Sequence, residues 1–201
     1  MRDDEDLTDL IRAAAGGDRR AFEDLVLLKR ERVVRTAFQI TGELEDAKDV
    51  AQTVFLRLWR VLQRFDLARR FDTWLYRITV NAAIDLVRER GPKGFLQALP
   101  DDAGERMADP SRGADERVDL AQLQRAFLRL AARLAPKQRA TFVLKEIEGL
   151  DTAEVARVLG VTESTVRNHL LQARRVLREG LTADYPGLTG GRRSGNDEGR
   201  R

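Results

Sequence analysis

The 201-residue chain contains no cysteine and a single histidine, His169. Without thiols there are no disulfides or thiolate metal sites, and one imidazole cannot assemble a zinc site or a histidine-based triad. No run approaches the length of an apolar membrane span, and no N-terminal apolar segment resembles a signal peptide. The expectation is a cytoplasmic protein with no direct membrane insertion. Neither a phosphate-cradling glycine loop nor a metal cluster is present, so no enzymatic activity, metal, cofactor or small-molecule substrate is expected. Lysine is scarce as well: Lys29, Lys48, Lys93, Lys137 and Lys145 are the full set, and arginine supplies the remaining positive charge. We read that imbalance as a bias of the source genome.

What is present is a soluble composition, 42% hydrophobic and 34% charged, with room for one large domain or two small ones. Thirty-six basic against 33 acidic residues leave a net charge of only +3, so the distribution along the chain carries the information. Asp3, Asp4, Glu5, Asp6 and Asp9 make an acidic start, and Asp101, Asp102, Glu105, Asp109, Asp115 and Glu116 an acidic middle. Arg167, Arg174, Arg175 and Arg178 make a late segment basic.

Leu7–Ala15 reads as a short helix closed by Gly16–Gly17, and Asp18 as the N-cap of a second helix running to about Thr41. Ala21, Phe22, Leu25, Val26, Val33, Ala37 and Ile40 lie mostly on one side of that helix. After Gly42, Glu43, Glu45 and Asp46 place acid in the first turn of a third helix, where it suits the helix dipole. That helix is expected to reach Phe65, with Ala47, Val50, Ala51, Val54, Leu58, Val61, Leu62 and Phe65 as its apolar face. Asp46, Asp49, Gln52, Thr53, Leu56, Arg57 and Arg60 lie opposite. A loop, Asp66–Arg70, leads to a fourth helix over Phe71–Arg90, capped by Asp72 or Thr73 and stopped by Gly91–Pro92. No strand-like alternation interrupts this unit, and the fold class expected is all-α.

On the fourth helix Leu75, Ile78, Ala82 and Leu86 make a buried seam, while Arg77, Asn81, Asp85 and Arg88 gather on another stripe with Trp74 among them. An aromatic beside Asn and Arg on a polar face suits base stacking and base reading. The plain alternative is that Trp74 packs on a neighbouring helix and the charges are solvated.

From Gly91 to Ala114, Gly91, Pro92, Gly94, Pro100, Gly104, Pro110 and Gly113 interrupt every period and acids accumulate, which predicts a flexible linker. Val118, Leu120, Leu123, Phe127, Leu130 and Leu134 then sustain a helix to Ala135, and Pro136 opens another to Glu148. Asp151 with Glu154 three residues on predicts a capping box for a short helix, Thr152–Leu159. Gly160–Thr162 turns the chain into a last helix, Glu163–Gly180, beyond which a glycine- and arginine-rich tail reads as disordered.

Thr152–Ala173 has the spacing of a helix-turn-helix: small Ala156 allows close crossing, Gly160 a tight turn, and Val161 and Val166 pin the pair. Val166, Leu170, Ala173 and Leu177 face inward. Ser164, Asn168, Leu171 and Arg175 share the outward stripe, flanked by Arg167 and Gln172. Arginine and amide side chains suit base edges in a major groove, and Arg174 and Arg178 are better placed for phosphate. A purely structural three-helix module is the competing account.

DAKDVAQTVFLRLWRVLQRFD (46–66), FDTWLYRITVNAAIDLVRER (71–90) and the block 134–179, in this order around a broken linker, closely resemble the small bacterial extracytoplasmic-function sigma factors. The resemblance implies two small helical domains joined by a flexible acidic linker. Residues 1–90 would grip core RNA polymerase and melt the minus-ten element, 91–114 link, 115–180 read the minus-thirty-five element, and 181–201 form a tail. It implies polymerase contacts at Asp49, Gln52, Thr53, Leu56 and Arg60, with Thr53 standing where the family usually carries Glu. By position, Phe65 and Asn81 resemble the pocket for an everted base, with Trp74, Arg77 and Arg88 nearby. Phe65 falls on the apolar side of the helical wheel, so the two placements agree only if the third helix ends before it.

In the second domain the reading set implied is Ser164, Thr165, Arg167, Asn168, Leu171, Gln172, Arg174, Arg175 and Arg178. Asn168 and His169 replace the Ser and Arg common after the Thr-Val-Arg signature, which predicts an individual promoter preference, with Gln172 or Asn168 reading adenine. The family's logic would thread the acidic linker toward the RNA exit path, and it implies an anti-sigma partner. Two other readings compete. A sigma mimic would sequester an anti-sigma factor without binding DNA. A stand-alone helix-turn-helix repressor would leave the first ninety residues unexplained.

Overall fold

In the computed structural model the backbone is described for residues 2–97 and 114–184, and side chains for 6–91 and 123–184. The described residues are helical with no strand. The expectations for most of the linker, 98–113, and for the tail from residue 185 lie outside them.

Helix α1 (Arg2–Ala15) begins earlier than its apolar residues indicate. Helix α2 (Arg19–Thr41) starts where Asp18 accepts from the backbone N–H groups of Arg20 and Ala21, and ends at Gly42 in a left-handed conformation, φ 81°. Helix α3 (Leu44–Val61) is capped by Glu43, which accepts from the N–H groups of Glu45 and Asp46. It stops short of Phe65: a 3-10 turn over Leu62–Arg64 follows, and Phe65 is extended, with φ −72° and ψ 126°. The tighter turn takes Phe65 off the wheel that had placed it on the buried side.

Asp46 also departs from expectation. It is 2% exposed, not outward, and pairs with Arg90 of the fourth helix. Burial, the largest influence, raises the pKa of its carboxyl, while the Arg90 guanidinium opposes that rise.

Helix α4 (Phe71–Gln97) begins at Phe71, so Asp72 is no cap; its carboxylate instead holds Lys29 at 2.6 Å and Arg32 at 3.2 Å on α2. Gly91, at φ 70° and ψ 176°, breaks the helix where a stop was expected, and helix resumes beyond it to Gln97. The buried face of α4 is broader than the expected seam. Tyr76, Thr79, Val80, Ala83, Ile84 and Val87 are buried with Leu75 and Ala82, whereas Ile78 and Leu86 are only partly buried.

Helix α5 (Ala114–Ala131) ends four residues earlier than predicted, and Leu123 on it is exposed. Helix α6 (Pro136–Phe142) passes into a π-helical turn over Val143–Ile147. Helix α7 (Thr152–Leu159) carries the capping box of Asp151 and Glu154, and closes at Gly160, φ 63°. Helix α8 (Glu163–Asp184) runs four residues past Gly180.

Helices α1–α4 pack on one another, as do α5–α8, but the two groups also meet: α4 lies against α6 and α7, and α2 against α6. One core runs through both, joining Phe38, Leu58 and Val80 to Val143, Leu144 and Val155. Arg139 sits in this junction, 2% exposed, with its guanidinium donating to the carbonyls of Ala131 (2.9 Å), Leu134 (3.5 Å) and, across the junction, Ile40 (2.6 Å). Burial lowers its pKa to about 10, still high enough to keep it charged.

Candidate nucleic-acid interface

The α3–α4 connection builds an aromatic cluster. Phe65 stacks on Trp74, with ring centroids 4.7 Å apart and planes 29° off parallel, and Phe71 meets both rings edge-on. Phe71 is buried and Lys29 lies 6.0 Å from its centroid, so the cluster is fixed from below. Phe65 and Trp74 are half-buried, and from Trp74 the stripe continues along α4 through Arg77, Asn81 and Arg88, all exposed. Trp74 therefore packs on an aromatic neighbour, Phe65, and lies at the head of a stripe whose Arg77, Asn81 and Arg88 are exposed. With Arg69, Arg70, Thr73 and Arg77 it lines a cavity of about 470 Å³, to which α7 contributes Arg157.

On α8 the division of faces follows the sequence pattern. Val166, Leu170, Ala173 and Leu177 are buried, and Ser164, Asn168, Leu171 and Arg175 are exposed. Leu171 is 67% exposed, an apolar side chain on the outward face of a basic helix, where a thymine methyl would be a suitable contact. Some predicted residues are engaged within the protein. Thr165 is half-buried in the N-cap, its N–H donating to Thr162 Oγ1 at 3.2 Å. Arg167 pairs with Glu163 at 3.4 Å and Arg174 with Glu146 at 2.6 Å, while Gln172 accepts from Arg175 at 3.0 Å. Arg178 is exposed.

His169, next to this stripe, turns toward α6, where its Nδ1 lies 3.3 Å from Thr141 Oγ1. The Thr141 hydroxyl already donates to the Lys137 carbonyl, so the neutral ring donates from Nδ1. Burial first, and Lys137 second, lower the pKa of the imidazole.

A third surface lies on α3. Asp49, Gln52, Thr53, Leu56 and Arg60 are all exposed, with Leu56 at 53%. The sequence pattern missed their apolar neighbour Trp59, 43% exposed, whose ring stands 4.7 Å from Phe22 of α2 at an interplanar angle of 62°. Phe22, Phe55, Leu56 and Trp59, edged by Arg19, Glu23 and Gln52, line an open groove of about 480 Å³. Trp59 lies between the two faces of the helical wheel, where periodicity assigns no role. Among the described residues no group of acidic or histidine side chains has the arrangement to hold a metal ion, and no helix is long and apolar enough to cross a membrane.

Residues 25–92 match the family description Sigma-70 region 2, and residues 124–177 match Sigma-70, region 4. The chain is 31% identical over 177 residues to the ECF RNA polymerase sigma factor SigW of Bacillus subtilis, covering 85% of this chain and 94% of that protein. It is 37% identical over 174 residues to the ECF RNA polymerase sigma factor SigE of Mycolicibacterium smegmatis, covering 83% and 65% respectively. Among solved structures it superposes on CnrH in complex with the cytosolic domain of CnrY, with a TM-score of 0.64 and 29% identity over 88% of this chain and 97% of that one.

Proposed function

Since this chain belongs to the extracytoplasmic-function sigma factors, which direct core RNA polymerase to promoters, we propose how its residues divide that work. Residues 1–90 grip core polymerase and open the minus-ten element, 91–114 tether the two units, 115–180 read the minus-thirty-five element, and 181–201 form a tail. On the first unit the outward face of α3, with Asp49, Gln52, Thr53, Leu56 and Arg60, docks on core polymerase, and Trp59 and Phe22 widen that contact. The stripe of Phe65, Trp74, Arg77, Asn81 and Arg88 takes the unpaired strand. Everting a base costs a few kcal/mol, and stacking on an aromatic returns about 1–3 kcal/mol per base.

On the second unit α8 lies in the major groove. Asn168, Leu171, Gln172 and Arg175 read base edges, while Ser164, Thr165, Arg167, Arg174 and Arg178 hold the backbone. The observation that carries this reading is the joint presence, on one chain, of a half-buried aromatic pair leading into exposed Arg77, Asn81 and Arg88 and of a helix with exposed Asn168, Leu171 and Arg175. A sigma mimic that never touches DNA has no use for either, so the mimic is not favoured.

The chain itself supplies promoter choice and strand opening, and bond formation belongs to the polymerase, in the cytoplasm. An anti-sigma protein is the further partner, by likeness to CnrH, which was solved with the cytosolic domain of CnrY. In vitro transcription with core polymerase and a genomic promoter pool tests the reading. Discrete starts sharing two upstream elements are expected, lost with Leu56→Asp and Asn81→Ala while the fold is kept. Core binding without any transcript would refute it.

A further inference from the structure

We propose that Lys29 of α2 is a positioning residue for strand capture: by holding Asp72 it fixes the first turn of α4 and, with it, the stack of Phe65 on Trp74. This rests on the assignment of those two rings to the unpaired strand.

Lys29 is 7% exposed, and an ammonium withdrawn from water is costly unless it is paired. Its partner stands on another helix. Asp72 Oδ1 accepts from Lys29 Nζ at 2.6 Å, and Oδ2 accepts from Arg32 at 3.2 Å. Lys29 and Arg32 are neighbours one turn apart on α2, so both oxygens of one carboxylate are tied to a single helix. Asp72 is the second residue of α4. Tied through both oxygens, it resists rotation of the first turn of α4 about the helix axis.

The rings ride on that turn. Phe71 and Trp74 flank Asp72 on α4, whereas Phe65 is extended and belongs to the connection before it. Phe71 is buried, lies 6.0 Å from Lys29 Nζ and meets both other rings edge-on. The Phe65–Trp74 stack, with centroids 4.7 Å apart, therefore has one ring on each side of a joint. Rotating α4 by about 10° carries a side chain roughly 6 Å from its axis by about 1 Å, enough to disturb a stack. An apolar side chain at position 29 would fill the same space without holding Asp72. Lys29 is itself too deep to meet a phosphate, so its influence on DNA passes through Asp72 and the rings.

Tryptophan occurs only at positions 59 and 74, so Trp59→Phe gives a full-length protein whose emission reports Trp74 alone. In that background Lys29→Met and Asp72→Asn should each move the emission maximum and raise quenching by acrylamide. Strand affinity is measured in the chain that keeps Trp59, by anisotropy of a labelled random 15-nucleotide single strand. Each variant should bind it about five-fold more weakly, part of what one base–aromatic stack supplies. The double variant should be little weaker than either single one, because both remove the same tie. A random 25-base-pair duplex, held by α8, should bind all of them alike.

The two substitutions change charge in opposite senses. Simple electrostatics would weaken strand binding in Lys29→Met and tighten it in Asp72→Asn, so losses of the same sign are the mark of positioning. Asp72→Asn keeps its shape at a half-buried site and carries the test if Lys29→Met does not fold. Opposite signs, additive losses or an unmoved Trp74 emission would overturn the role of Lys29. So would parental strand binding in both variants while Trp74→Ala weakens it, and the strand surface would then stand without Lys29. Unchanged strand binding in Trp74→Ala would instead overturn the assignment of Trp74, and the role of Lys29 with it.

Discussion

Replacing Arg139 with methionine isolates what a buried cation does at the junction of the two units. Methionine fills a similar stem volume and removes every donor. The Ala131 carbonyl keeps a partner, because it also accepts from the Leu134 N–H at 3.0 Å. The Ile40 carbonyl lies in the last turn of α2, where helical carbonyls have no intrahelical donor, and it loses its 2.6 Å bond. The Leu134 carbonyl loses the weaker bond at 3.5 Å. Two carbonyls left without donors cost about 1–3 kcal/mol each, and relief of the guanidinium's own desolvation returns part of that. The net expectation is about 2–4 kcal/mol of lost stability, a fall in Tm of roughly 6–12 °C for a chain this size. Urea and thermal unfolding followed by circular dichroism provide the measurement. A variant within about 0.5 kcal/mol of the parent would mean that the guanidinium does not satisfy those carbonyls, and the account of the junction would be wrong.

Exchange of Gln172 for Ala should cost about 1–3 kcal/mol at a single base pair of the minus-thirty-five element, read by binding to a promoter-variant panel; uniform weakening would reassign it to phosphate. Gly180→Ala should destabilise the second unit by about 1–2 kcal/mol, since a Cβ there would overlap Leu130 Cδ2 within a packed cluster and the overlap outweighs a helix-propensity gain of about 1 kcal/mol. Unfolding midpoints decide the sign. His169 has a lowered pKa in the fold, so its contribution is complete above its unfolded value of about 6.5 and is lost as pH falls below that. His169→Gln should remove that acid-side slope from a plot of stability against pH, and an unchanged slope would place the effect elsewhere.

The helices themselves were legible in the chain because their determinants are local. Asp18, the Asp151–Glu154 box, Gly42 and Gly160 act within one turn of the backbone, and the inward set Val166, Leu170, Ala173 and Leu177 is written in a period of 3.6. The outward faces of α3 and α8 follow from the same arithmetic. Periodicity assigns a side chain to a face, but it does not say what the face meets.

Asp46 falls on the outward side of the helical wheel, and nothing in the sequence pattern singles out Arg139; their partners Arg90 and the Ile40 carbonyl lie 44 and 99 residues away. Phe65 changed sides because a 3-10 turn ended its helix, a choice made by packing against Phe71 and Trp74. The closure of one unit on the other, through Glu148 with Thr36 and Tyr76, depends on the shapes of two finished surfaces. It is visible in the folded chain alone, because partners so remote in sequence leave no period in it.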